Sequence, residues 1–130
     1  FENMPMTRLS LSQPDQILEF VKQIHSDWFQ ICLDTGHCAV FGLSPAEAVR
    51  KIGKKFLRVL HVHDNNGVND LHWLPYTGVI DWEDFSKSLD EIGFEGTVSL
   101  ETAVPKKIPE DIRTLQERSL SCMAYRIAGR

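Results

Sequence analysis

Apolar residues recur along the chain with two alternating periods. Residues 12–25, SQPDQILEFVKQIH, put Ile17, Leu18, Val21 and Ile24 at helical spacing behind a Ser and a Pro, which predicts a helix with an N-terminal signal. Residues 28–34, WFQICLD, form a short apolar run ending in Asp34 and predict a buried strand. In SPAEAVRKIGKK (44–55), Ser44 sits at the cap, Pro45 at the first helical position and Gly53 near the end. FLRVLHVHD (56–64), rich in branched residues, predicts the next strand. A long polar loop runs to about residue 80. IDWEDFSKSLDEIG (80–93) then predicts a helix led by Asp81 and closed by Gly93, and TVSLET (97–102) a strand. From Pro109 to Ala128 the pattern is helical again, with Ile112, Leu115, Leu120, Met123 and Ile127 as its expected buried face.

The opening FENMP reads as the end of a strand. Strands and helices therefore alternate along the whole chain, and the strands are close to continuously apolar. That pattern predicts a parallel sheet with crossover helices in a single α/β domain. Either an open doubly wound sheet or part of a (β/α)8 barrel fits. No glycine-rich phosphate fingerprint follows a strand, which weakens the nucleotide-binding form of the open sheet.

Composition narrows the function. The 130 residues are 42% hydrophobic and 25% charged, as in ordinary globular proteins. A net charge of −4 disfavours a broad basic surface for nucleic acid. No apolar run is long enough to cross a bilayer, so no membrane partner is expected. Cys32, Cys38 and Cys122 are odd in number and lack a CxxC spacing, which suggests reduced thiols and a cytoplasmic setting.

The reactive residues have a positional logic. Glu2, Asp34, His61 and Glu101 each fall at the C-terminal end of an expected strand, the edge where parallel α/β folds build their sites. Taken one at a time, each has an ordinary reading: Asp34 as a turn cap, Glu101 as an ion-pair partner, Glu2 as an exposed terminal residue, His61 as a packed strand histidine. Three converging carboxylates repel one another unless a cation neutralises them. The composite therefore points to one divalent metal ion, with hard oxygens and one imidazole suited to Mn²⁺, Mg²⁺, Co²⁺ or Zn²⁺. His37, three residues after Asp34, and the pair Asp70 and His72 are candidates for substrate contacts or a second metal. His63 reads equally as packing, as support for the site, or as a ligand.

The segments ENMP, ICLDTGH, HVHDNNG, DLHWLP…GVIDW and GFEGTVSLET resemble the xylose isomerase-like (β/α)8-barrel superfamily over almost the whole chain. That superfamily includes sugar-phosphate isomerases and epimerases and, more distantly, endonuclease IV-type AP endonucleases. The resemblance implies that the chain forms the C-terminal half, about strands 5–8, of a TIM-type barrel. It implies metal ligation by Glu2, Asp34, His61 and Glu101, with Glu2 and Glu101 as the catalytic acid/base pair. His37 resembles a substrate-contacting histidine or, in the nuclease branch, a further zinc ligand; Asp70 and His72 are similar to that branch's Asp-x-His ligands. One departure is LPYTG, where the family often has a Pro-Gly-x-Gly turn, and the lost glycine is expected to reshape the loop. Strands 1–4 are also absent. A half barrel would leave open sheet edges, so a missing barrel half or self-association is expected, a fragment of a longer protein being the favoured reading.

The leading functional expectation is a metal-dependent isomerase or epimerase of a keto sugar or related small polyol, working by glutamate-mediated proton transfer through a metal-stabilised enediolate. One alternative is an endonuclease IV-like phosphodiesterase acting on abasic DNA. Another is a non-catalytic metal-binding barrel domain. Trp73 or Trp82 could wall a sugar face, although ordinary packing explains either.

Overall fold

The computed structural model describes residues 1–102 and 104–129. Its elements run α1 (Pro14–Ile24), β1 (Ile31–Asp34), α2 (Thr35–Val40), α3 (Pro45–Phe56), β2 (Leu57–Val62), α4 (Trp82–Ile92), β3 (Thr97–Leu100) and α5 (Glu110–Ile127). The three strands form a parallel sheet in the order β1-β2-β3. Parallel neighbours need a crossover between them, and α3 and α4 supply it. Phe1 and Glu2 add the end of a further strand: Glu2 bridges Cys32 in parallel, and the Cys32 amide donates to the Phe1 carbonyl at 2.7 Å.

Side-chain alternation sorts the sheet into two faces. Ile31 and Leu33 of β1, with Leu60 and Val62 of β2, are buried with Ile17 and Val21 of α1, Val49 and Ile52 of α3, and Phe85 and Leu89 of α4. Each such side chain contributes about 1.5–3 kcal/mol of burial free energy. The intervening residues Cys32, Asp34, Val59 and His61 lie on the opposite face of the pleat. Arg50 ties α3 to α4 through a bidentate pair with Asp84 (2.6 and 3.0 Å) and a 2.6 Å contact with Glu91. These groups are solvated, so screening keeps the contribution of the tie small.

Several sequence expectations need adjustment. WFQ is not strand: Trp28 is 93% exposed and β1 begins only at Ile31. Ser12 does not cap α1; Gln13 does, through a reciprocal box with Gln16. Gly53 lies near the end of α3 as expected, where its φ of 70° kinks the helix. On α5, Ile127 is buried as expected and Leu120 and Met123 are half-buried, whereas Ile112 and Leu115 are exposed. Asp81 and Gly93 bound α4 as expected, Asp81 accepting from the amides of Glu83 and Asp84.

Candidate functional site

Strand register assembles the first cluster. Asp34 and His61 are direct Cα partners across β1 and β2. The Glu101 amide donates to the Val62 carbonyl at 3.0 Å, continuing the β2–β3 pairing one residue past β3. The bridge to Cys32 brings in Glu2. His61 Nδ1 then lies 3.0 Å from Glu2 Oε1 and 2.9 Å from Glu101 Oε1. One ligand atom from each of Glu2, Asp34, His61 and Glu101 falls within 4.8 Å of the others.

Asp34 has a second task. It is the N-cap of α2, a short helix absent from the sequence reading, and its Oδ1 accepts from the His37 amide at 2.8 Å. The cap reading and the cluster reading of Asp34 therefore both hold. Asn3, fully buried, holds the Asp34 backbone from the other side: its amide donates to the Asp34 carbonyl at 3.0 Å and its carbonyl oxygen accepts the Asp34 N–H at 2.7 Å. Asp34 Oδ2 is buried without a hydrogen-bond partner among the described residues. A buried, unsatisfied carboxylate oxygen beside two more carboxylates and an imidazole suits a divalent cation, and this donor set fits one.

His37, Asp70 and His72 gather into a second cluster, joined by His63. His37 Nδ1 donates to the Asn3 carbonyl at 2.7 Å, and His72 Nδ1 to the Glu101 carbonyl, also at 2.7 Å. Each ring thereby turns its Nε2 to Asp70 Oδ2, at 3.3 and 3.4 Å. With Nδ1 carrying the proton, a neutral ring presents a lone pair to that carboxylate. Only a further proton, a cation or a polar ligand makes the arrangement attractive.

His63 is fully buried and stacks on His72, with ring centroids 4.0 Å apart and planes 10° apart. Its Nε2 lies 3.0 Å from Asp34 Oδ1 and 3.6 Å from Asp70 Oδ1. The nearer contact is off line for a well-directed hydrogen bond, and Nε2 has no other hydrogen-bond partner among the described residues. Burial penalises the imidazolium, but Asp34 and Asp70 outweigh it and raise His63 above the ordinary imidazole value. Sequence reasoning left this residue undecided. The available signal was period two: His61 and His63 sit on one face of the strand and its extension.

The loop between β2 and α4 carries Asp70 and His72, and Asp64 fastens it. Asp64 is completely buried and accepts from Trp82 Nε1 (2.8 Å) and from the amides of Asn65 (2.9 Å), Gly78 (3.0 Å) and Ile80 (3.3 Å). Its backbone also exchanges two hydrogen bonds with Trp73. Trp82 is thus a packed residue with a structural donor, not a sugar wall, whereas Trp73 remains 41% exposed. The departure LPYTG does not abolish a left-handed turn: Tyr76 itself adopts φ of 71°. A cleft of about 540 Å³ opens beside His72 and is lined by Trp73, Thr102, Pro105, Leu120 and Met123.

Cys32, beside Glu2 and His61, is pushed up to about 12 by burial and by the Glu2 and Asp34 carboxylates. It is a thiol at neutral pH and no ready nucleophile.

The comparisons with known proteins agree with this architecture. The family model described as xylose isomerase-like TIM barrel matches residues 1–118, and the chain belongs to that family. An uncharacterized protein of Methanocaldococcus jannaschii is 40% identical over 103 residues, covering 77% of this chain and 35% of its own length. D-psicose 3-epimerase of Enterocloster bolteae is 29% identical over 94 residues, covering 72% of this chain and 29% of its own. Among solved structures, a D-tagatose 3-epimerase-like protein superimposes with a TM-score of 0.76 at 29% identity, over 98% of this chain and 46% of its own. The chain thus spans about a third of the length of these curated relatives and about half of that structure. The fold is a partial TIM barrel. No helix among the described residues is long and apolar enough to cross a membrane.

Proposed function

We propose that the chain carries the metal-binding, proton-transferring half of a sugar isomerase or epimerase site, acting on a keto sugar or related small polyol. The observation that carries this reading is the approach of the Glu2 and Glu101 carboxylates to the same nitrogen of His61, at 3.0 and 2.9 Å, with Asp34 completing the set. Glu2, Asp34, His61 and Glu101 would hold one divalent cation. When bound, it supplies Lewis acidity that lowers the barrier to removing a proton beside a carbonyl.

The protein's own groups do the rest. One of Glu2 and Glu101 takes the proton from carbon as the electron pair moves toward the carbonyl oxygen. The other, in its acid form, delivers a proton to the opposite face or to the neighbouring carbon. Both side chains are partly exposed, so a substrate can reach them. His37 and His72, each fixed through Nδ1, would orient substrate oxygens through Nε2, with Asp70 between them. Relatives named as D-psicose 3-epimerase and D-tagatose 3-epimerase-like protein support the substrate class. We read the chain as one domain forming the C-terminal half of the barrel, its edges completed by strands from a longer chain or from a second copy.

The test is deuterium uptake from D₂O into D-psicose, D-tagatose or D-fructose. Uptake that vanishes in Glu101→Gln supports the reading, while full uptake in a chelator-stripped preparation would sink it.

A second reading, a phosphodiesterase acting on abasic DNA, draws on one observation. The second cluster could hold a further ion through His37, Asp70 and His72. The net charge of −4 weighs against it. Cleavage of abasic-site DNA without sugar deuteration would reverse the order of the two readings.

A further inference from the structure

The role of His63 extends beyond packing: we infer that it is a positioning residue that holds the Asp34 carboxylate in place for the first cluster. The inference rests on the divalent-cation reading of that cluster.

Asp34 Oδ2 is buried and has no hydrogen-bond partner among the described residues. Asp34 Oδ1 is restrained at two points. One is the His37 amide at 2.8 Å, where Asp34 caps α2; the other is the polar edge of His63, 3.0 Å away. A single amide contact leaves the carboxylate free to swing about its Cα–Cβ bond. A second, from a different element, removes that freedom.

The His63 ring is itself fixed on every side. Its backbone N–H donates to Thr35 Oγ1 at 3.2 Å, and the Thr35 hydroxyl donates to the His63 carbonyl at 2.8 Å. His72 covers one face of the ring by stacking, and His37 meets it at 78°. Gly36 provides the space beyond: a Cβ there would lie 1.9 Å from His63 Cε1. A ring this confined cannot serve as an adaptable surface group. It presents one nitrogen to Asp34 and nothing to solvent.

The experiment titrates Mn²⁺ into metal-stripped chain by calorimetry, with thermal melting of each metal-free variant recorded alongside. His63→Phe keeps the ring and its stacking but removes the nitrogen. His63→Gln keeps a polar N–H but loses the ring. Loss of a residue that orients a ligand costs about 10- to 100-fold in metal affinity, and that weakening is expected in His63→Phe, with His63→Gln recovering most of it. Gly36→Ala, which displaces the same ring without altering any polar atom, is expected to weaken Mn²⁺ as His63→Phe does. It provides the decision if His63→Phe does not fold. Wild-type affinity in His63→Phe or in Gly36→Ala overturns the inference. So does equal weakening in His63→Phe and His63→Gln, which would mean that a polar N–H restored beside Asp34 does not hold the carboxylate. A wild-type chain that binds no Mn²⁺ sinks the cation reading as well, whereas Mn²⁺ binding without sugar deuteration sinks only the proposed activity.

Discussion

The two clusters lie side by side and share neighbours, but they are built by different means. Glu2, Asp34, His61 and Glu101 come from strand ends, and β-sheet register sets their spacing. His37, His63, Asp70 and His72 come from a short helix, a strand exit and a long loop. For the first cluster, the ladder hydrogen bonds that make the sheet also make the site. The geometry of the second depends on how one loop is fastened, and the fastening is largely a single buried carboxylate, Asp64. A site built on register should resist local damage, whereas one built on a loop should fail when its anchor is removed.

Substitutions can separate the two cases. The largest expected effect is on chemistry: Glu101→Gln should lower deuterium exchange by about 10²–10⁴-fold while leaving the melting temperature nearly unchanged. A large loss of melting temperature with exchange intact would mean that the first cluster is a structural knot. Next comes Asp64→Asn, which replaces an acceptor of four hydrogen bonds by an amide and should cost about 3 kcal/mol in stability. Amide hydrogen exchange should accelerate at Gly78 and Ile80 and stay slow in β1 and β2. Equal acceleration in the strands would erase the distinction between the clusters. Trp82→Phe removes one of those donors and keeps most of the packing, so denaturant melts should register about 1 kcal/mol. The smallest effect belongs to Tyr76→Gly. Relief of a left-handed tyrosine, about 1–2 kcal/mol, is offset by loss of the Tyr76 ring's contact with Trp82, and the midpoint should scarcely move.

What could be read in the sequence follows the same division. The strand-end residues were legible because each falls at or next to the C-terminal end of an expected strand, and the parallel pattern says where such ends converge. Asp81 and Gly93 were legible because caps are local chemistry. The helix Thr35–Val40 was not, since TGHCAV has no amphipathic period over six residues and its start depends on Asp34 acting as a cap. Asn3 was overlooked for a related reason. Its side chain imitates a strand's hydrogen bonds to Asp34 across 31 positions, which no local pattern announces. Ile112 and Leu115 of α5 lie exposed, unlike Ile127, because helical spacing identifies apolar residues but not the surface that covers them.

Gly36 carries a consequence for how this site can change. The space that a methyl group would occupy there is filled by the ring of His63. Positions 36 and 63 therefore cannot drift independently. A larger residue at 36 is tolerable only after 63 has become smaller, and a smaller residue at 63 opens a void that a larger residue at 36 could fill. The order of substitution matters, and a variant surveyed in one background would be misjudged in the other.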